Sequence, residues 1–411
     1  MSIGFRALAR SVASYDELIA AIKETVDDAE LSRYMSLAIQ PDGLCCKLHP
    51  AEEPLQFTID ENERMTVLAR TAGAGPGYHS FLLSLVDNVG TALELDWVFE
   101  DDTEFALHFS FEKLQRYFAQ WLHNVAKRML SEAKDEYHYS LSLPLGFQVV
   151  GDHFCATPKG FVNKDWFKKY LAENDKLAMA QEFFPWWNEG RDGSFYHSLG
   201  SCLLWTDVLW HFPVNEEDAR IPTLALDCFK RAQELAPHLS QPKEELRELK
   251  RLLASTSQLE LPPKEEGIGY RRHILRELVA GGWRIDIPGF FHFETENEGS
   301  TEIFWHGGRT IRLTTLTVHG KDNEKLSPER VLSKLKVEES VGDSELNRHD
   351  QGFIGRATLE RHEEDGDEYW SLTCQAAATS SYCLLTICYD DESDLQWAKD
   401  TWLSLAFQGE D

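Results

Sequence analysis

The C-terminal stretch SYCLLTICYDDESDLQWAKDTWLSL, residues 381–405, joins a strand pattern directly to a helix pattern. Its first part belongs to the near-continuous apolar run SSYCLLTICYD, which has the composition of a buried central strand. The acidic residues from Asp391 to Asp394 are typical of a helix N-cap, and the helix that follows carries Trp397 and Trp402. We therefore predict a sheet on which a terminal helix packs.

The residues that precede this stretch continue the same pattern. One strand-like run ends at Pro288, and the glycine-containing segment 306–309 separates two further runs as a hairpin turn does. Ser327, followed by proline, is a typical helix start, and two more strand patterns follow at 352–363 and 369–377. The order of strands, helix, strands and helix predicts an α+β arrangement.

Length and pattern divide the chain of 411 residues into three predicted domains. Residues 1–145 mix helical and strand patterns and form the N-terminal region, expected to be an α/β domain. Residues 146–262 are largely helical and form the middle region, and residues 263–411 form the C-terminal region, an antiparallel sheet with helices. The polar, Pro-containing segment 255–269 has the composition of a linker. The predicted fold class is therefore multi-domain α+β.

Within the N-terminal region, the spacing of apolar residues predicts helices over 15–39, 78–89 and 111–131, with a strand at 93–99. The segment AGAGPG, residues 72–77, is rich in glycine but lacks the Lys and Ser or Thr of a phosphate-binding loop. We interpret it as a turn that precedes the second of these helices.

The net charge of −28 limits the partners that this chain can bind. Direct binding of nucleic acid or of an anionic membrane requires a basic face, so we expect neither. A basic protein is the complementary partner, and solubility is the alternative reason for an acidic composition. The charge is concentrated at the two ends, with −11 in the N-terminal region and −13 in the C-terminal region.

Targeting signals and cysteine usage indicate a cytoplasmic protein. The first 22 residues lack the apolar core and cleavage site of a signal peptide, and no run is apolar enough to span a membrane. The eight cysteines lie mostly in apolar runs, which favours buried free thiols in a reducing compartment.

No sequence motif assigns catalysis. The chain lacks the GxSxG, HExxH, CxxC and EF-hand patterns, so we assign no catalytic residue, no cofactor and no metal ligand. The alternative is a hydrolase without a motif, whose sign would be a pair of inward-facing acids with raised pKa in a cleft.

Three segments are candidates for contact with a protein partner, and each has a structural alternative. The first, after the predicted strand at 93–99, is either a contact surface or a solvated turn. The second follows His362 and is a contact surface, a cation site or the solvated tip of a hairpin. The third, FFPWW at 183–187, is either an exposed hot spot or a plug between the first two domains, the alternative we favour. The candidate residues are Glu100, Asp101, Asp102, Glu104, Glu363, Glu364, Asp365, Asp367, Glu368, Trp186 and Trp187.

Residues 270–411 resemble the PsbP-like sandwich fold. The resemblance is carried by GGWRIDIPGFF (281–291), by the hairpin WHGGRTIRLTTLTV (305–318), by SPERVL (327–332) and by the closing strand and helix. It implies an α+β sandwich in the C-terminal region. Bacterial members of that fold include chaperones of type VI secretion effectors, which hold apolar effector helices.

The remainder resembles bacterial proteins of polymorphic-toxin and type VI secretion loci. The likeness is carried by 76–90, by LQRYFAQWL (114–122), by FFPWW and by CLLWTDVLWHFPVNEEDARIP (202–222). Such loci encode toxins, chaperones and immunity proteins, and immunity proteins are typically acidic, cytoplasmic and non-catalytic. The resemblance implies an immunity protein that occludes a basic toxin, with a nuclease as the best single expectation. An effector chaperone is the first alternative and a hydrolase the second, and the oligomeric state is left open.

Overall fold

A computed structural model describes residues 3–10, 13–40, 43–132, 138–141, 143, 148–254, 262–296, 300–321, 324–335, 346–350, 352–364 and 366–408. The helices of this described part are α1 (Tyr15–Thr25), α2 (Ala29–Tyr34), α3 (Pro76–Ala92), α4 (Phe105–His108), α5 (Phe111–Glu132), α6 (Lys164–Ala172), α7 (Lys176–Phe183), α8 (Gly193–Thr206), α9 (Glu216–Leu235), α10 (Lys243–Ala254), α11 (Pro328–Lys334) and α12 (Leu395–Ser404).

The strands of the described part run through all three regions. They are β1 (Gly4–Arg10), β2 (Ser36–Gln40), β3 (Gly43–Lys47), β4 (Leu55–Ile59), β5 (Arg64–Arg70), β6 (Val98–Asp101), β7 (Tyr139–Ser140), β8 (Gln148–Val149), β9 (Cys155–Thr157), β10 (Gly160–Val162), β11 (Ile274–Val279), β12 (Trp283–Pro288), β13 (His292–Glu296), β14 (Thr301–His306), β15 (Arg309–Thr317), β16 (Arg348–Asp350), β17 (Phe353–Glu364), β18 (Asp367–Ala378), β19 (Ser381–Tyr389) and β20 (Ala406–Phe407).

The N-terminal region forms a six-stranded antiparallel sheet in the order β2-β3-β4-β5-β1-β6, with α1 and α3 packed together beside it. The predicted helices at 78–89 and 111–131 are confirmed as α3 and α5. The single helix predicted over 15–39 is wrong. The helix ends at Thr25, where Val26 adopts an extended conformation. Asp28 starts a new helix by accepting a hydrogen bond from the Leu31 amide at 2.9 Å, and from Ser36 the backbone pairs with β3 instead.

The middle region is largely helical, as predicted, with five helices from α6 to α10 in its described residues. Asn163 caps α6 through a hydrogen bond from the Trp166 amide at 2.8 Å, which confirms the predicted N-cap. A small sheet in the order β10-β9-β7 precedes these helices, and its strands are too short to produce a periodic apolar pattern.

One apolar core crosses the predicted boundary at residue 145. The largest buried cluster runs from Ile3 to Leu252 and contains side chains of both the N-terminal and the middle regions. Trp186, which is 1% exposed, lies in this cluster and stacks on Phe81 of α3 at a ring-centroid distance of 5.1 Å. The boundary itself stays a prediction, but the two regions share their packing.

The glycine-rich loop at 72–77 is where these two regions meet. The Trp186 amide donates to the Ala74 carbonyl at 2.8 Å, and the Gly77 amide donates to the Trp186 carbonyl at 3.0 Å. A Cβ atom on Gly77 would lie 2.1 Å from Cδ1 of the Trp186 ring, so only glycine allows this approach. The loop is therefore a docking point for Trp186 rather than a flexible turn.

The same loop also surrounds a buried acid. One carboxyl oxygen of Glu52 accepts hydrogen bonds from the Gly73 and Ala74 amides at 2.6 Å. Burial raises the pKa of Glu52 to about 8 and outweighs these two hydrogen bonds, so the side chain is mostly protonated at neutral pH. Because the side chain of the chain's own Glu52 occupies these amides, they are not available to a phosphate group.

The C-terminal region contains a seven-stranded antiparallel sheet in the order β13-β14-β15-β19-β18-β17-β16. A second sheet, β20-β12-β11-β8, faces it across a core that includes Trp283, Leu385 and Trp402. The apolar run at 381–389 lies between β15 and β18, so the predicted central strand is confirmed. The terminal helix α12 packs against both sheets, and the multi-domain α+β class is confirmed.

The predicted linker at 255–269 is only partly within the described residues, since 255–261 lie outside them. The described half is anchored to α10, where the Ile268 amide donates to Glu245 at 3.3 Å. Just beyond it, the buried Arg272 guanidinium binds the Glu248 carboxylate at 2.8 Å and lies 3.6 Å from the centre of the Trp210 ring. The chain therefore enters the C-terminal region in close contact with the middle region.

Two composition-based expectations can be compared with the fold. None of the helices in the described part of the chain combines the length and apolar character that crossing a bilayer requires. All eight cysteines are free thiols and six of them are buried, whereas Cys45 and Cys388 are partly exposed. The burial of most thiols agrees with the sequence, and the compartment stays a prediction.

Replacing Trp186 by alanine tests the shared core. We expect Trp186→Ala to lower the free energy of unfolding by about 3–5 kcal/mol, because the ring is fully buried between the two regions. The matched control is Phe109→Ala, whose side chain is 75% exposed and whose loss should change stability by less than about 0.5 kcal/mol. Urea denaturation of both variants provides the comparison, and equal losses would contradict the packing described here.

Candidate functional site: an acidic and apolar surface

The acidic segment predicted from the sequence lies at the end of the edge strand β6, where the chain turns into α4. The strand itself begins at Val98, later than the predicted 93–99. The four acids of this segment do not form one exposed group. The side chain of one points inward, and the other three face solvent.

Asp101 is the inward acid, and its side chain is only 2% exposed. One carboxylate oxygen lies 3.2 Å from Nε2 of the buried His79, and the carboxylate also accepts the amides of Thr103 and Ala106 at 2.9 and 3.0 Å. Burial alone would raise the pKa of Asp101, but His79 and the two amides outweigh it and lower the pKa to about 2. The assignment of Asp101 to the contact surface is thereby corrected: it fixes the turn from within.

The other three acids remain on the surface. Glu100 is 60% exposed and lies 3.9 Å from the Arg6 guanidinium, a separation that contributes little in water. Asp102 accepts the Gly4 amide at 3.1 Å, and Glu104 is 73% exposed beside His108. These carboxylates are therefore available to a partner.

Large apolar side chains are exposed next to these acids. Leu107 and Phe109 are 74% and 75% exposed, and Val98 on β6 and Tyr117 on α5 are also exposed. Burial raises the pKa of Tyr117, and the charges of Asp102 and Asp101 add to this effect. We call the following set the acidic-apolar surface: Val98, Glu100, Asp102, Glu104, Leu107, Phe109 and Tyr117.

The backbone on either side of α4 adopts an energetically unfavourable conformation. The short helix α4 is bracketed by Glu104 and Phe109, both in the left-handed region with φ of 57° and 47°. This conformation is unfavourable for residues other than glycine and is concentrated at functional sites. The buried Phe105 ring anchors the turn between them, in edge contact with Phe109 at 5.9 Å. The sequence gives no signal for this pair of left-handed residues.

The second acidic segment forms the tip of the hairpin between β17 and β18. Glu363 is exposed there, and Glu368 pairs with Arg361 on the facing strand at 2.5 Å. Gly366, with φ of 92°, makes the tight turn. Asp365 and the side chains of Glu364 and Asp367 lie outside the described residues. The segment therefore forms a hairpin tip, one of the three alternatives given above, in a different sheet from β6.

The two tryptophans of FFPWW are buried. Trp186 is 1% and Trp187 8% exposed, and Trp187 stacks on Phe184 at 5.9 Å. This corrects their assignment to an exposed hot spot, because burial within the shared core leaves neither ring free to meet a partner. The favoured alternative, a plug between the first two regions, describes their position.

A separate cleft lies between the middle and C-terminal regions, and sequence patterns did not indicate it. It encloses about 730 Å³, and we call it the seam cleft. Its polar lining includes Asp218, Arg271, Glu277, His292 and Glu302.

Two acids, Glu277 and Glu302, line the seam cleft. Burial raises the pKa of Glu302 to about 7, and the neighbouring charge of Glu277 adds to this effect. Burial also raises the pKa of Glu277, and the Arg271 guanidinium, 3.8 Å away, opposes that rise. These are inward-facing acids with raised pKa, the arrangement that a hydrolase without a motif would need. Because Glu277 and Glu302 lie on strands of two different sheets, no spacing in the sequence reveals the pair.

The Asp101–His79 contact can be tested by a conservative replacement. We expect Asp101→Asn to lower the free energy of unfolding by about 2–4 kcal/mol, since an NH2 group that can only donate replaces one of two buried oxygens that both accept hydrogen bonds. Glu104→Gln, on the exposed side of the same turn, should cost less than about 0.5 kcal/mol. Chemical denaturation at neutral pH measures both, and a loss of similar size in the two variants would overturn the distinction.

The acid pair predicts a pH dependence. Because its folded pKa is raised above the ordinary value of 4.5, Glu302 destabilises the folded chain increasingly from about pH 4.5 to 7, as ionisation favours the unfolded state. Glu302→Gln removes this cost. After solvent screening is allowed for, we expect it to be more stable than the unmodified chain by about 1–2 kcal/mol near pH 8 and to match it near pH 4.5.

The exposed Glu294 supplies the control for this measurement. Glu294→Gln should change the free energy of unfolding by less than about 0.5 kcal/mol at both pH values. A Glu302→Gln variant that is destabilised near pH 8 would show that the carboxylate is stabilising and would contradict the raised pKa.

Comparison with known proteins adds little to this geometry. No protein-family model matches the chain, and no curated protein matches its sequence. Among solved structures, a crystal structure from Bacteroides thetaiotaomicron VPI-5482 matches 33% of this chain and 48% of its own, with 12% identity and a TM-score of 0.24. The solution structure of cyanobacterial PsbP (CyanoP) from Synechocystis sp. PCC 6803 matches 38% of this chain and 99% of its own, with 11% identity and a TM-score of 0.17. Both scores are too low to carry an argument, so the likeness to the PsbP-like fold remains a resemblance.

Proposed function

We propose that this chain is a non-catalytic, protein-binding protein that recognises a basic partner through the acidic-apolar surface. The observation that carries the proposal is the exposure of Leu107 and Phe109 at the short helix that directly follows the exposed Glu100, Asp102 and Glu104. Large apolar side chains with a polar rim are the composition of a protein-binding hot spot.

The physical roles of the two residue types differ. Leu107 and Phe109 would be desolvated by the partner, and this burial supplies most of the binding free energy. The carboxylates, together with the net charge of −28, would attract a basic protein and raise the association rate. The strained α4 turn presents the apolar pair before binding, so little conformational entropy is lost on association.

The finer form of the proposal is an immunity protein that neutralises a toxin in the cytoplasm. The sequence resemblance to proteins of toxin loci supports it, and so does the match between an acidic surface and the substrate face of a nuclease. In this form the carboxylates occupy the site where the toxin binds phosphate groups, and the apolar pair holds the complex together.

An effector chaperone is a second candidate, favoured by apolar side chains exposed on the C-terminal sheets. Ile274 and Leu278 of β11 and Phe293 of β13 are each about half exposed or more. A chaperone would bind apolar effector segments there rather than at β6. A hydrolase is the remaining candidate, and the Glu277–Glu302 pair in the seam cleft is the observation in its favour.

Co-expression tests the proposal directly. We expect this chain to rescue cells from the toxin encoded beside its gene and to form a stable one-to-one complex with it. The double variant Leu107→Ser/Phe109→Ser should weaken that complex by about 30-fold or more, the loss typical of a hot spot. The association rate should fall steeply with added salt, because the long-range attraction is screened.

The matched control is Leu403→Ser, an exposed leucine of similar size on α12 in the C-terminal region. It should bind and rescue like the unmodified chain. A complex that withstands Leu107→Ser/Phe109→Ser but is weakened by Leu278→Ser would reject the acidic-apolar surface and favour the chaperone alternative.

A further inference from the structure

Three side chains with metal-binding atoms converge at the edge of the seam cleft. His211 follows α8, Asp218 lies in the first turn of α9, and His292 begins β13. One potential ligand atom from each lies within 4.8 Å of the other two. The two imidazole rings are buried and their centroids are 3.8 Å apart, while the Asp218 side chain is 20% exposed.

The tautomer of His211 is set by its surroundings. Its Nδ1 lies 3.0 Å from the Phe212 carbonyl oxygen, which can only accept, so Nδ1 carries the proton. Nε2 therefore presents a lone pair, and among the described residues it is buried with no hydrogen-bond partner. A buried lone pair without a partner is unfavourable in the absence of a ligand, and a proton on the opposite nitrogen held by a carbonyl is the usual support of a metal-binding histidine.

Asp218 is held in place by the start of its helix. The Asn215 side chain accepts the Asp218 amide at 2.9 Å, and one carboxylate oxygen of Asp218 accepts the Val214 amide at 3.1 Å. The same oxygen lies 3.7 Å from Nδ1 of His292, beyond hydrogen-bond distance. A backbone amide thus orients the Asp218 carboxylate beside the His292 imidazole, as the outer contacts of metal-ligating carboxylates do.

From this arrangement we infer that His211, Asp218 and His292 bind a divalent transition-metal cation, with Zn²⁺ as the best match. Two imidazole nitrogens and one carboxylate oxygen are a zinc-type ligand set, whereas Ca²⁺ and Mg²⁺ take oxygen ligands. Ligand atoms about 2.0–2.1 Å from a tetrahedral zinc lie roughly 3.3–3.4 Å from each other. The three atoms lie within 4.8 Å of one another, so side-chain rotation that also moves the two imidazole rings apart would bring them to that spacing.

The position of the site defines what the cation would do. It would join the loop before α9 to β13, and so link the middle region to the C-terminal region. Because Asp218 and His292 also line the seam cleft, the fourth coordination position would be filled from that cleft. The inference does not depend on the acidic-apolar surface, which belongs to the N-terminal region.

Metal titration of the full chain tests the site. After treatment with a chelator, we expect the chain to bind one equivalent of Zn²⁺ by calorimetry and to show the visible absorption of tetrahedral Co²⁺ when Co²⁺ is added instead. Asp218→Asn and His292→Gln should each weaken Zn²⁺ binding by at least tenfold and abolish the Co²⁺ absorption. Zn²⁺ should raise the Tm of the unmodified chain but not of these variants.

The matched controls are Asp227→Asn, on the exposed side of α9, and His108→Gln, on the N-terminal surface. Both should bind Zn²⁺ within about twofold of the unmodified chain. Circular dichroism of the metal-free forms identifies a variant that does not fold, in which case the other site variant decides. Absence of one-equivalent binding, or affinity unchanged in a folded Asp218→Asn or His292→Gln variant, would overturn the inference.

Discussion

The packing of Trp186 against the glycine-rich loop at 72–77 is the contact on which the rest of the structure depends. Its ring fills the space beside Gly77 that a Cβ atom would occupy, and its backbone is bonded on both sides to the loop. The loop leads into α3, whose residue His79 contacts Asp101 at the end of β6. One packing contact therefore joins the first two regions and positions the histidine that organises the acidic turn.

The acidic turn shows how a buried charge can arrange an exposed surface. Because Asp101 is held inside by His79 and by backbone amides, the chain reverses sharply and α4 leaves the sheet with Leu107 and Phe109 in solvent. The carboxylates around that pair keep the edge strand soluble, since charged edge strands resist pairing with other sheets. The same charges would attract the basic partner proposed above, so resistance to edge pairing and recognition are compatible properties of one surface.

Local features of the fold could be predicted from the sequence, whereas features that depend on contacts between distant residues could not. The central strand at 381–389, the Asn163 cap and the hairpin through 306–309 are each encoded by neighbouring residues. The acids after β6 were identified as a group, but the inward turn of Asp101 depends on a histidine from another helix. The seam cleft is made by residues far apart in the chain, and single-sequence patterns carry no information about such pairs.

Hydrogen–deuterium exchange of the chain, alone and in complex with the proposed basic protein partner, tests the central claim most directly. The account predicts that complex formation slows exchange in residues 98–117, where β6, α4 and the start of α5 carry the acidic-apolar surface. Protection confined to the C-terminal sheets, with exchange at 98–117 unchanged, would contradict it.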